Sequence, residues 1–316
     1  MNILRKYLFM LVLVFLLTTS LLSLAFQGKV FENYINIEDR GYINTDSLIS
    51  PTELQRILND ENIIIIDFRT NENYLSAHIP GAVNFWRSDI IDVDHEYPMM
   101  KASVEQMEQV LSEKGISNDD IIIIYSNGRG PDAPRMWWVL KIYGHKDIRI
   151  LDGGIEYWQN NNFPISQTIM SREKTEYIID TNNISYSLLA ELSDVIEAIK
   201  DEDIIIIDTR TREEYLGQSD MGSRSGKIPG SYFLEWSDVL NDDNTLKTAE
   251  EINDIYSNIG VIPEKEIISY CQSGVRSAYT TFVLYELLGY ENVKNYDGSW
   301  IEWSARFDLP IEYASK

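Results

Sequence analysis

Chemistry in this chain concentrates in seven consecutive residues, Cys271-Gln272-Ser273-Gly274-Val275-Arg276-Ser277, which contain the single cysteine of 316 residues. They follow a short apolar run, Ile267-Ile268-Ser269-Tyr270, and lead into SAYTTFVLYELLGY, which reads as a helix. A loop between a strand and a helix leaves successive backbone N–H groups free to converge on one anion, and the helix start adds further donors. Gly274 lets such a loop curl tightly, and Arg276 contributes a fixed positive charge. A cysteine in that setting reacts as a thiolate of depressed pKa, and a persulfide formed on it is held by the same donors. Without this context a lone cysteine after a strand reads as a small core residue. The related cradle of cysteine phosphatases carries a longer stretch before its arginine. The four residues between Cys271 and Arg276 make a smaller ring, sized for one sulfur rather than a phosphoryl group.

The elements that must position this loop are written twice. Ser50-Pro51 announces a helix through TELQRILN, followed by Ile63-Ile64-Ile65-Ile66-Asp67, a β-branched run suited to the centre of a parallel sheet. In the second copy Ser187 to Leu192 is expected as the helix, and Ile204 to Ile207 as the strand, closed by Asp208-Thr209-Arg210. Tyr74-Leu75 matches Tyr215-Leu216 and Ile79-Pro80-Gly81 matches Ile228-Pro229-Gly230; the offset grows from 141 to 149, an eight-residue insertion around GQSDMGSRSG. Further helices are expected at about Val104 to Lys114 and Ala249 to Ile259, ahead of strands at Ile121 to Tyr125 and Ile267 to Tyr270. The copies close alike, with Asp152 against Asp297 and Trp158 against Trp303 at an offset of 145. A repeat of this length is a duplicated domain, and strands alternating with helices make each copy an α/β domain with a largely parallel central sheet flanked by helices.

The loop CQSGVRS, with Asp208-Thr209-Arg210, Tyr215-Leu216-Gly217, Ile228-Pro229-Gly230 and Asp297-Gly298, resembles the rhodanese family, specifically its tandem thiosulfate or 3-mercaptopyruvate sulfurtransferases. The resemblance covers residues 47 to 316 and implies two rhodanese-like domains, the second active. It implies that Cys271 accepts sulfane sulfur from thiosulfate or 3-mercaptopyruvate and passes it to cyanide or a thiol, with Gln272 to Ser277 as the cradle and with neither cofactor nor metal. Thiosulfate is the favoured donor. The chain departs from both substrate types: Ser273 stands where thiosulfate enzymes of the animal type have lysine, and Glu214 and Lys227 stand where arginine and histidine are usual. Arg212, Arg224 and Lys227 are candidates for the missing positive charge. Asp208 and Arg210 are expected first to tie loop backbones together, with donor contact by Arg210 second; Asp67 and Arg69 have the structural version of that role. A non-enzymatic sensor or binding protein on the same scaffold is the alternative.

In the first copy the cysteine position is Ser126, in Ser126-Asn127-Gly128-Arg129-Gly130-Pro131-Asp132. A hydroxyl there is neither an easily formed anion nor a soft nucleophile, so this domain is expected to be catalytically silent. Arg129 or Arg135 could face the interdomain cleft, though core-edge or solvent placement is favoured; Trp137 and Trp138 are expected to pack on the sheet or the other domain.

A formal charge of −23 excludes a basic nucleic-acid footprint. One cysteine permits no intrachain disulfide, and His78, His95 and His145 lack ligand spacing. Residues 1–26 set Arg5 and Lys6 before an apolar run, with Ser23 and Ala25 suiting cleavage before Phe26: a signal peptide, or an uncleaved anchor, since a span needs roughly 20 residues. Either way the folded part is expected outside the cytoplasmic membrane, where a thiol-reducing partner would keep Cys271 in cycle. The expected organisation is therefore leader 1–26, extension 27–46, silent domain 47–165, linker 166–182 and active domain 183–316.

Overall fold

The computed structural model describes residues 34–219 and 221–313; the leader, residues 1–26, lies outside them. Among the described residues no helix is long and apolar enough to cross a membrane. Two five-stranded, all-parallel sheets are present. The first runs β1-β5-β4-β2-β3, from β1 (Leu48–Ile49), β2 (Ile63–Asp67), β3 (Val83–Asn84), β4 (Ile121–Tyr125) and β5 (Ile148–Leu151). The second repeats that order as β6-β10-β9-β7-β8, from β6 (Leu189–Ala190), β7 (Ile204–Asp208), β8 (Tyr232–Phe233), β9 (Glu266–Tyr270) and β10 (Val293–Tyr296).

The isoleucine runs account for the centre of each sheet. Ile63 to Ile66 pair residue for residue with Ile121 to Ile124, and Ile204 to Ile207 pair with Glu266 to Ser269. Helices cover both faces, so successive β-branched side chains all find apolar neighbours. Ser50 caps the helix Pro51–Ile57 by accepting from the Glu53 N–H, with proline at the first turn where its missing N–H costs nothing.

One helix is placed differently from expectation. Ser187 to Leu192 is not a helix: Tyr186–Leu188 forms a 3-10 turn, Leu189–Ala190 is β6, and the helix occupies Leu192–Ala198. Ala190 is buried and pairs with Tyr296 on β10, so the sheet edge takes these residues before a helix can start. The equivalent Leu48–Ile49 does the same in the first copy. The helix after the active loop, Val275–Phe282, passes into a π-helical turn at Val283–Leu287.

The two domains meet about a pseudo-two-fold axis. Helix Asp132–Ile142 packs on helix Val275–Phe282, and Trp137 meets Phe282, its equivalent, edge-on at 5.0 Å. The Asp152 carboxylate accepts from the Leu246 N–H (3.0 Å), while Asp297, its counterpart, accepts from the N–H of Lys101, the counterpart of Leu246 (2.9 Å). Trp137, Trp138, Phe282 and Val283 belong to one core that spans both domains. The described part of the extension reinforces the seam: buried Arg40 pairs with Asp152 at 2.7 Å and donates to the Leu246 carbonyl, and the Ile43 N–H donates to Leu287. Residues 166–182 form a strap along the first domain, bridged at Ser166 to His78 and burying Tyr177 and Ile179.

Candidate active site

Cys271 follows the last residue of β9, at the carboxyl end of the second sheet, and the next helix begins at Val275. Gly274 holds the turn with φ +73°; a side chain there would come within 2.9 Å of both the Arg135 guanidinium and the Asp297 carboxylate. Only glycine satisfies both demands. The loop is tied down from behind by Ser299, whose hydroxyl accepts from the N–H groups of Cys271 (3.2 Å) and Gly274 (2.9 Å) and donates to the Tyr296 carbonyl (2.7 Å). Ser299 has φ +46°, a left-handed conformation maintained by these bonds. The carbonyls of Cys271 and Gln272 accept from Trp300 and Ile301.

The amides therefore divide their work, and not all converge on the anion as the sequence suggests. Those of Cys271 and Gly274 serve Ser299; those of Ser273 and Ser277 help to lower the pKa of the cysteine thiol, while the buried Ser277 hydroxyl has no hydrogen-bond partner among the described residues. Burial pushes the Cys271 thiol up, but the Arg276 guanidinium and the Ser277 and Ser273 donors outweigh it and bring the pKa below that of an ordinary thiol. Cys271 is 1% exposed, yet it lines a cleft of about 430 Å³ together with Gln272, Ser273, Val275 and Arg276. The Gln272 side-chain oxygen is buried there without a hydrogen-bond partner.

Arg276 is held in a bidentate pair with Glu214 (2.6 and 2.8 Å). Desolvation would raise the Glu214 pKa, but the guanidinium overrides it and keeps the carboxylate ionised. Glu214, singled out only as a departure, is thus the group that aims the charge beside the sulfur. Asp208 and Arg210 form a buried fork (2.9 and 2.7 Å); Arg210 also donates to the Gly226 carbonyl and lies over the Trp300 ring at 4.5 Å. Asp67 and Arg69 repeat the fork in the first domain, with Arg69 donating to the Ala77 carbonyl.

The three cations expected to supply extra charge are placed elsewhere. Arg224 spends its guanidinium on the carbonyls of Trp303, Ser304, Arg306 and Leu309, at the end of helix Ser299–Ala305, so four of its five N–H donors are consumed. Lys227 is buried between Glu312 (2.9 Å) and the Ser231 carbonyl (2.9 Å). Arg212 is exposed and lies over the Phe233 ring at 5.5 Å, outside the residues that line the cleft. A cation that the sequence reading did not single out, Arg87 of the first domain, does line it. The inserted loop contributes Ser219 and Met221 to the cleft wall instead of charge.

In the first domain the helix begins at Asp132, whereas the helix after Cys271 begins at Val275, so the loop around Ser126 is more open along the chain. The Ser126 hydroxyl faces the carbonyls of Asn127 and Gly130 and accepts from the Ala133 N–H. Pro131 stands at the position of Arg276, and Asn73 at that of Glu214. Arg129 is exposed beside Asn244, while Arg135 is buried and crosses the domain seam to Asp297 (2.6 Å) and the Gly274 carbonyl (3.3 Å).

Comparison with known proteins places this geometry. The rhodanese-like domain family matches residues 50–161 and 191–306. A protein of Mycolicibacterium smegmatis named "Putative thiosulfate sulfurtransferase" is 38% identical over 253 residues, 77% of this chain and 88% of that protein. The "Sulfur carrier protein TtuD" of Thermus thermophilus is 32% identical over 288 residues, covering 86% of this chain and 98% of the other. Among solved structures, the anaerobic ergothioneine biosynthesis enzyme of Chlorobium limicola superposes with a TM-score of 0.74 at 24% identity, over 86% of this chain and 71% of that one, a likeness of fold. Two matched domains, each with the same five-stranded sheet, make the chain a member of the rhodanese family, a tandem-domain sulfurtransferase.

Proposed function

We propose that the chain moves sulfane sulfur from thiosulfate, through a persulfide on Cys271, to a thiol or to cyanide. The observation that carries this reading is the Cys271 sulfur at a cleft, its pKa lowered by the charge of Arg276 and by the backbone N–H groups of Ser277 and Ser273. The thiolate attacks the outer sulfur of thiosulfate; a bond from the Cys271 sulfur to that atom forms as the sulfur–sulfur bond of the donor breaks, and sulfite leaves with the electron pair. The terminal persulfide sulfur then carries the negative charge, which the Ser277 and Ser273 donors and Arg276 are placed to stabilise. An acceptor thiolate or cyanide attacks the outer sulfur and returns Cys271 as thiolate, giving a new persulfide or thiocyanate. 3-Mercaptopyruvate is the second donor, less favoured because the loop departs from that enzyme type at Gln272 and at Arg276-Ser277.

The first domain, in this reading, is silent in catalysis and contributes packing and one wall of the cleft. Residues 1–26 direct the protein across the cytoplasmic membrane, where a thiol-reducing partner would keep Cys271 available. Purified protein incubated with thiosulfate is expected to gain one sulfur atom by mass at Cys271 and to release thiocyanate on adding cyanide. Failure of the wild-type protein to do either, with thiosulfate and with 3-mercaptopyruvate, would return the chain to a sensor or binding role. Cell fractionation tests export; full-length protein in the cytosol would overturn it.

A further inference from the structure

Thiosulfate is a dianion, and four of the cations grouped near the loop are already engaged. Arg276 gives an N–H of each terminal nitrogen to Glu214 and sets its charge beside the Cys271 sulfur, Arg210 is buried with Asp208, Arg224 is surrounded by four carbonyls, and Arg135 is buried with Asp297. Glu213 and Glu214 also line the cleft and oppose an incoming anion. Arg87 differs. Its Nε donates to Asp132 at 2.5 Å and its guanidinium lies over the Trp86 ring at 5.2 Å, two contacts that fix the plane of the fork. Neither contact uses the terminal nitrogens, and the side chain retains 34% of its exposure. It lines the same cleft as Cys271, from the opposite domain.

We infer that Arg87, supplied by the silent domain, binds the sulfonate end of the donor and turns its outer sulfur towards Cys271. A guanidinium held by its Nε presents two parallel N–H groups, the geometry that an oxyanion accepts bidentately. Asp132 is then a positioning residue: it occupies the helix start that in the second copy serves the sulfur, and uses it to hold the arginine. The first domain would thus retain a role in the reaction after losing its nucleophile. This inference rests on the sulfurtransferase reading and sharpens it to a donor-recognising residue.

The test compares wild type with Arg87→Gln and Arg87→Lys, using three sulfur sources: thiosulfate, 3-mercaptopyruvate, and inorganic polysulfide, which has no oxyanion. Arg87→Gln is expected to raise KM for thiosulfate by about tenfold to a hundredfold, the usual consequence of losing a charged hydrogen-bond pair. Loading from polysulfide and cyanolysis of the preformed persulfide stay at wild-type rates, which also shows that the variant folds. Arg87→Lys falls between, because a point charge replaces the fork. A parallel rise in KM for 3-mercaptopyruvate extends the role to its carboxylate; a rise confined to thiosulfate assigns it to the sulfonate. An unchanged thiosulfate KM in Arg87→Gln, with wild type active, overturns the inference and leaves the sulfurtransferase reading standing. Absence of loading in wild type from every source would instead defeat that reading.

Discussion

The two halves of this molecule share a framework down to individual hydrogen bonds and differ where chemistry requires it. In each, a tyrosine at the end of the central strand donates to the aspartate of the neighbouring strand and accepts from an isoleucine N–H: Tyr125 with Asp67 and Ile79, Tyr270 with Asp208 and Ile228. In each, an Asp–Arg fork ties the following loop, through Arg69 to Ala77 and through Arg210 to Gly226. The difference lies in a few side chains around one loop. The second half has a sulfur, a glycine at φ +73° that starts the helix early, and an Arg276–Glu214 pair; the first has Ser126, a later helix and Pro131. Scaffold geometry therefore does not distinguish the two copies. The ionisable side chain and the charge beside it do.

The largest expected effect tests that statement directly. Cys271→Ser abolishes persulfide formation and thiocyanate release, and adding Ser126→Cys to that variant does not restore them, because Pro131 stands where Arg276 lowers the Cys271 pKa. Turnover near the wild-type rate in the double variant, measured by cyanolysis, would mean that the scaffold alone suffices.

Next comes a stability difference at the seam. Asp152 is buried with Arg40, so Arg40→Ala strands a buried carboxylate and is expected to cost about 3–5 kcal/mol by chemical denaturation. A loss under about 1 kcal/mol, the range of an exposed pair, would mean that the extension does not lock the domains.

Third is a pH effect. Arg276 holds the Cys271 pKa down, so alkylation of the thiol by iodoacetamide is expected to reach its plateau at a lower pH than for a free cysteine. Arg276→Gln removes the charge that most lowers the thiol pKa while burial remains, so the profile moves to higher pH and the rate at neutral pH falls. A profile that stays in place would assign the lowering to the loop amides alone. The smallest effect belongs to Ser299→Gly, which relieves the left-handed backbone but removes the acceptor for two loop N–H groups. The net loss is expected near 1 kcal/mol, with slower sulfur loading. The reverse exchange in the first half, Gly154→Ser, is harsher, since a Cβ there comes within 2.7 Å of the Ser126 carbonyl.

What was readable from the sequence follows a physical pattern. The Ile63 and Ile204 runs declare buried central strands because each must be apolar on both faces. Strands β1, β3, β6 and β8 have two residues each, too few to show any period, and the one misplaced helix, Ser187 to Leu192, hides such a strand. The loop at Cys271 was legible because its chemistry is local. Arg87 and Ser299 were not: one matters only through the position of the opposite domain, and the other through a backbone torsion that serine does not advertise. Arg224 and Lys227 misled for a related reason, since a positive charge in a chain does not disclose which carbonyls or carboxylates will claim it.

The contact of Trp137 with its own counterpart Phe282 is the arrangement of a symmetric dimer, here written into a single polypeptide. Because the strap of residues 166–182 keeps the halves tethered, their association is intramolecular and does not weaken on dilution. A cleft lined by both halves consequently stays intact at the low concentrations in which a separate pair of subunits would come apart.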